Sequence, residues 1–157
     1  MATHAQSSCV NVVLPVYNAE RFVVEAVESI LGKSLAAFEL IVIDDGSTDR
    51  SRDLLAVLAS RDPRIRLVAR ENRGLTCSLN EGLNAATGEY VAIMNADDIA
   101  LPDRLARQAA FLDAHPRVAA VGTQTRLLGD DRGRGPSTRL PESPEAVRCF
   151  MLKASPL

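Results

Sequence analysis

Short aliphatic runs alternate with amphipathic stretches along this chain, and that alternation restricts the fold more than any other feature. Residues 9–14 (CVNVVL), 38–43, 65–69 and 90–94 are apolar, β-branched runs of strand length. Between them, apolar residues recur at three- and four-residue spacings, as on one face of a helix. The first such stripe is Ala19, Phe22, Val23, Ala26, Val27, Ile30 and Leu31, closed by Gly32. The second is Leu54, Leu55, Val57 and Leu58, which Asp49 or Ser47 can cap, and the third is Leu75, Leu79, Leu83 and Ala86. A fourth helix is expected over about 102–114, with Leu105, Ala109 and Leu112 inward and Leu101 or Ala100 as its cap. Residues 118–122 read as a fifth strand, and Pro15 is expected to end the first. Strands joined through helices lie parallel with right-handed crossovers. The expected fold is therefore α/β, a doubly wound, mostly parallel sheet flanked by helices.

Composition removes several classes of function. A formal net charge of -2 gives no pull toward nucleic acid, and 4% aromatics without Trp leave no stacking platform for single strands. The three cysteines, Cys9, Cys77 and Cys149, have no metal-ligand spacing and fit reduced thiols in a cytosolic protein. The opening MATHAQSSCVN lacks the basic and apolar regions of a signal peptide, and residues 1–8 are expected to be frayed. No apolar run approaches the roughly 18 residues of a membrane span. Residues 129–136 (GDDRGRGP) read as a mobile polar loop, followed by a short helical pattern at 145–153. Its Val147, Phe150, Met151 and Leu152 form an apolar patch suited to self-association.

The chemistry is expected at strand ends. PVYN at 15–18, DDGSTD at 44–49 and NADD at 95–98 each follow an apolar run. In an open α/β sheet these loops share the carboxyl edge, where ligands bind. Asp97 and Asp98 at the end of a buried strand would be costly without a cation or strong hydrogen bonds. A helix beginning near Pro102 does not explain both. The dinucleotide pattern GxGxxG, the Walker loop and the Gly-x-Ser-x-Gly elbow are missing. His115 beside Pro116 reads as structural, and His4 stands in the ragged terminus. Carboxylate oxygens suit Mg²⁺ or Mn²⁺, and such ions neutralise a diphosphate. The residue types thus favour a metal-bound nucleotide diphosphate.

Four segments, VNVVLPVYNAERFVVEAVESIL, FELIVIDDGSTDRS, ENRGL and GEYVAIMNADDIALPDRLARQ, together resemble the family 2 glycosyltransferases of GT-A fold. The resemblance runs over about residues 10–125 without a gap. It implies a metal-dependent, inverting enzyme that moves a sugar from a nucleotide diphosphate sugar to a hydroxyl of a glycan or lipid-linked acceptor. It also implies a role in cell-surface polysaccharide biosynthesis, in the cytoplasm or at the inner face of the membrane through partners. On that resemblance residues 9–128 form the nucleotide-sugar-binding domain, and 129–157 lead toward an acceptor-binding half. Pro15, Val16, Tyr17 and Asn18 would line the nucleobase and ribose, and Asp45 would hydrogen-bond the base. Arg73, Asn95 and Ala96 join the donor site, and Asp97 and Asp98 form the metal site, Asp97 binding the ion and Asp98 supplying charge or orienting its neighbour. Asp44 is open between ligand contact and turn structure.

Two departures stand out. Asn95 occupies the first acidic position of the family's DxD motif, and a general base is expected only beyond Leu157. The alternative is therefore a nucleotide-binding module without turnover. A sugar-activating nucleotidyltransferase would need a Gly-rich basic loop after the first strand, and PVYNAE is neither.

Overall fold

The four apolar runs become four parallel strands, β1 (Val10–Val16), β2 (Phe38–Asp45), β3 (Ile65–Arg70) and β4 (Tyr90–Ile93). They form one sheet in the order β3-β2-β1-β4, as seen in a computed structural model of the chain. The structure describes residues 10–32, 34, 35, 37–128, 134–137 and 143. The helices are α1 (Val23–Leu31), α2 (Ser51–Arg61), α3 (Leu75–Ala85) and α4 (Arg104–Ala114). By contacts the chain forms two units, Met1–Val118 and Ala119–Leu157.

Alternation along each strand sorts the side chains to two faces. On one face Val10, Val12, Leu14 and Val16 of β1 and Leu40 and Val42 of β2 share a core with Ala26, Val27 and Ile30 of α1. Leu55 and Leu58 of α2 and Leu105 and Ala109 of α4 complete it. Each large aliphatic side chain fully buried there contributes about 1.5–3 kcal/mol. The opposite face of β1 and β2 carries α3.

Four expectations are corrected. Pro15 does not end β1; it lies within the strand, in register with Ile43. Val13 directs its carbonyl toward β4, accepting from the Met94 N–H at 3.1 Å. Pro15, two residues on, faces the same side, where β4 has already ended, so its missing N–H breaks no ladder bond. Second, the stripe of Leu75, Leu79 and Leu83 is not the buried face of α3. Leu75 is 60% and Leu83 43% exposed, while Ser78 and Gly82 face the sheet. A Cβ on Gly82 would lie 2.3 Å from Val13 Cγ1, so the glycine sets how closely α3 can approach.

Third, residues 118–122 form no strand. A β-branched run needs a ladder partner, and the described backbone bond there, Val118 N–H to the His115 carbonyl at 2.8 Å, closes a turn instead. Fourth, α4 begins at Arg104 with Asp103 at its cap position, rather than Leu101 or Ala100. The Arg104 N–H donates to the Leu101 carbonyl at 3.1 Å, so Pro102 sits in a turn ahead of the helix. α1 likewise starts at Val23, after a turn in which the Phe22 and Val23 N–H groups both reach the Ala19 carbonyl at 2.9 Å.

The second unit contains a small antiparallel pair, β5 (Arg126–Leu128) and β6 (Arg134–Ser137), with Arg126 opposite Ser137 and Leu128 opposite Arg134. Part of the expected loop 129–136 is thus a strand. The expected frayed terminus 1–8, the helical pattern 145–153 with its apolar patch, Cys9, Cys149 and His4 lie outside the described residues. No described helix is long and apolar enough to cross a membrane.

Candidate functional site

Because the four strands are parallel, all end on one edge, and each of the three polar clusters follows a strand there. The first two are fastened to each other. Asn18 adopts a positive φ of 49°, a conformation that Asn tolerates better than most residues. Its Oδ1 accepts the Thr48 N–H at 2.8 Å, and its own N–H donates to Ser47 Oγ at 3.1 Å. Beside it the Ala19 N–H donates to Ser51 Oγ at 2.8 Å, and the Glu20 N–H to Asp49 Oδ2 at 3.0 Å. Asp49 Oδ1 also accepts the Ser51 N–H at 2.9 Å, but the cap position of α2 is Arg50, which makes no side-chain cap bond, rather than Asp49 or Ser47 as expected. Asn18 thereby holds two loops together. Tyr17 is 52% exposed at this edge, whereas Pro15 and Val16 bury their side chains and can offer a ligand only main chain.

Asp44 and Asp45 end β2 and are both buried. Asp44 accepts Arg52 Nε at 2.7 Å and the Ser47 N–H at 3.3 Å, which fastens the turn after β2 to α2. Asp45 accepts the Arg73 N–H at 2.8 Å and the Gly74 N–H at 2.9 Å, and is ion-paired to Arg70. A buried carboxylate costs several kcal/mol unless compensated, and this one is. Three donors occupy Asp45, leaving about one of its four lone-pair positions. Arg70 in turn spends Nε on Glu81 at 2.7 Å, Nη2 on Ser78 Oγ at 2.9 Å and Nη1 on the Glu71 carbonyl at 2.7 Å. Residues 71–74 are thus held against the end of β2. Gly46, at φ 74°, makes that approach possible, since a Cβ there would lie 2.6 Å from Asn72 N. An open cleft of about 500 Å³ lies here, lined by Gly46, Ser47, Arg52, Arg70, Glu71 and Asn72.

The third cluster follows β4. Val91 is 40% and Ile93 48% exposed, so β4 is a half-covered edge strand among the described residues. Asp97 and Asp98 are exposed with it, and the burial cost expected of them does not arise. Ala96 and Met94 are buried and anchor the turn in the core. Asn95 Nδ2 donates to Asp98 Oδ2 at 3.0 Å. Arg104, the first residue of α4, reaches back with Nη2 to the Ile93 carbonyl at 3.1 Å. Burial lowers the pKa of Arg104, and the nearby charge of Asp98 opposes that shift.

Among the described residues no three His, Cys, Asp or Glu side chains converge so as to hold a metal by themselves. Exposed carboxylates still fit Mg²⁺ or Mn²⁺, which take few protein ligands when substrate oxygens complete the shell. The described bonds unite the first two clusters and the main chain of Arg73; the third bonds within itself, one strand beyond β1. Sequence reasoning missed Arg70, Glu81, Ser78 and Arg104. Arg70 had a readable signal: it stands in register with Asp45, an opposite-charge pair across adjacent strands. His115 stacks on Phe111 with ring centroids 4.2 Å apart, and its Nδ1 lies 2.7 Å from the Phe111 carbonyl, a structural role. Cys77 is half-buried and free.

Several known proteins are similar to this chain. EpsE of Bacillus subtilis (strain 168) is 40% identical over 149 residues, 94% of this chain and 52% of EpsE, so the chain spans about half that relative's length. The mannosyltransferase PcManGT from Pyrobaculum calidifontis, solved in complex with GDP-Man and Mn²⁺, superposes with a TM-score of 0.63 at 32% identity. That match covers 67% of this chain and 32% of PcManGT. S. aureus TarS 1–349 in complex with UDP-GlcNAc superposes with a TM-score of 0.62 at 29% identity, over 69% of this chain and 32% of TarS. The parallel sheet and its helices match these GT-A transferases over part of their length. Residues 11–154 match the description "Glycosyl transferase family 2", and the chain belongs to that family.

Proposed function

We propose that this chain supplies the donor site of an inverting, metal-dependent glycosyltransferase, which moves a sugar from a nucleotide diphosphate sugar to an acceptor hydroxyl. One observation carries the reading. Three neighbouring strands bring to one edge an exposed Tyr17, a buried Asp45 with an acceptor position to spare, and an exposed Asp97. The relatives' complexes with GDP-Man and Mn²⁺ and with UDP-GlcNAc support it.

In this reading Tyr17, with the main chain of Pro15 and Val16, forms the wall for base and ribose, and Asn18 holds that wall in place. Asp45 offers its remaining lone pair to an N–H on the base edge, and Arg73 and Asn72 close the loop beside it. Asn95 and Ala96 carry the turn toward the ribose and diphosphate. Asp97, with Asp98 beside it, would hold a Mg²⁺ or Mn²⁺ ion, whose charge offsets the negative charge on the departing nucleoside diphosphate. The acceptor is a glycan or lipid-linked hydroxyl, and the setting is the cytoplasm or, through partners, the inner face of the membrane. Polysaccharide synthesis is the corresponding process.

The test is thermal stabilisation by GDP, UDP and dTDP with and without Mn²⁺. At a hundred times its dissociation constant, the favoured nucleotide should add about 2.7 kcal/mol. Asp97→Asn should remove the Mn²⁺-dependent part and leave the fold intact. Absence of stabilisation by all three nucleotides would overturn the reading. Nucleotide binding without turnover is the second reading, and the neutral Asn95 in the turn favours it.

A further inference from the structure

We propose that the turn after β4 divides its two carboxylates between two tasks: Asp97 faces the donor and its cation, while Asp98 is a positioning residue clasped by Asn95. The proposal rests on the donor-site reading above and deepens it.

The turn is fastened at every stage. Before it, Arg104 Nη2 holds the last carbonyl of β4, that of Ile93, at 3.1 Å. Across it, Asn95 Nδ2 donates to Asp98 Oδ2 at 3.0 Å, and the Asp98 N–H donates to the Asn95 carbonyl at 3.3 Å. After it, the Ala100 N–H donates to Ser29 Oγ at 3.1 Å, and the Ser34 N–H to the Pro102 carbonyl at 3.1 Å, pinning the loop to α1 and the residues after it. Between the two ends of the clasp stand only Ala96, which is buried, and Asp97, which is exposed. Fixing Asn95 and Asp98 therefore fixes the backbone from which Asp97 projects.

Chemistry separates the two acids. Hydrogen bonds to a carboxylate are charge-assisted and strong, and an amide can donate where a carboxylate could only repel. Asn95 is thus suited to a carboxylate partner in a way that an aspartate at that position is not. One oxygen of Asp98 is engaged by Asn95, and its charge is partly balanced by Arg104. The Arg104 Nε is buried without a partner among the described residues, so the guanidinium is not fully spent on the Ile93 carbonyl. No described hydrogen bond or ion pair engages the Asp97 carboxylate. An ion of the Mg²⁺ type that borrows phosphate oxygens needs only one or two protein carboxylates, so Asp97 can serve it alone.

The experiment compares Mn²⁺-dependent binding of GDP and UDP by calorimetry in the parent chain, Asp97→Asn, Asp98→Asn and Asp98→Ala. Asp97→Asn should fall to the metal-free affinity. In Asp98→Asn the new amide oxygen still accepts from Asn95, so affinity should stay within about threefold of the parent, whereas Asp98→Ala should lose about tenfold, as loss of an orienting partner does. Retention by Asn and loss by Ala is the signature of positioning. Equal losses in Asp97→Asn and Asp98→Asn would make Asp98 a ligand and overturn the proposal. Parental affinity in Asp98→Ala would overturn it as well, by showing that the clasp positions nothing. If the parent chain itself shows no Mn²⁺-dependent binding, it is the donor-site reading that fails.

Discussion

Asn18 illustrates how one side chain sets a loop. It combines a left-handed backbone with an acceptor that serves the Thr48 N–H. Asn18→Gly should retain the backbone and lose the bond, whereas Asn18→Ala should lose both. The difference between the two variants in urea unfolding should be about 1 kcal/mol, the usual cost of a left-handed conformation for a residue with a Cβ. Asp45 has the larger structural debt. Asp45→Asn leaves the half-buried Arg70 paired to Glu81 alone, and loss of a charge-assisted hydrogen bond typically costs about 1.5–3 kcal/mol. A second readout separates recognition from folding: in the folded fraction, Asp45→Ala should weaken nucleoside diphosphate but hardly change binding of pyrophosphate with Mn²⁺. Tyr90 gives a test by pH. Its hydroxyl donates to Asp113 Oδ1 at 2.8 Å, and the neighbouring carboxylate pushes the phenol up to about 12. The folded value lies above the unfolded one of about 10, so the contribution is complete below pH 10 and is lost as pH rises toward 12. Ultraviolet titration should show one tyrosine ionising late, and Asp113→Asn should bring it back.

At the scale of the element, α3 carries the sharpest prediction. Alanine is normally better than glycine in a helix by about 1 kcal/mol. Gly82→Ala should nevertheless destabilise, by about 1–3 kcal/mol in urea unfolding, because its Cβ would enter Val13. Stabilisation would mean that α3 can lift from the sheet at no cost. This helix also shows where the sequence could be read and where it could not. The four strands and four helices were legible because periods of two and of three to four differ within a few residues. The face of α3 was not, because Leu75, Leu79 and Leu83 outvote a single Gly82 in any pattern of hydropathy. Residues 118–122 have strand composition, but composition does not supply the neighbour that a ladder requires. Pro15 escaped because its harmlessness depends on where β4 stops, which is a matter of register. In the site, the acids at strand ends were legible as residue types. Their partners were less so: Arg70 is readable only once β2 and β3 are set in register, Glu81 reaches it from α3, and Arg104 returns to β4 from a different element.

For the whole molecule, transfer makes a demand that donor binding does not. A general base on the acceptor hydroxyl is typically worth about 10²–10⁴ in rate. The chain spans about half the length of EpsE, and its binding of nucleotide sugar and its transfer of the sugar are separate measurements. Nucleoside diphosphate release with Mn²⁺, with and without simple acceptors, measures the transfer. Acceptor-dependent turnover by the 157 residues would mean that they already contain the base. β1 pairs with β2 over seven registered residues, Val10 to Val16, but with β4 over four, Val10 to Val13. Local opening follows the shortest ladder and the most solvated edge, so amide hydrogens of β4 should exchange with solvent sooner than those of Leu40 to Ile43. The turn that bears Asp97 is attached to that labile strand. A donor that grips Asp97 therefore also grips the margin of the sheet, and its arrival should slow exchange at Val91 to Ile93 as well as in the turn itself.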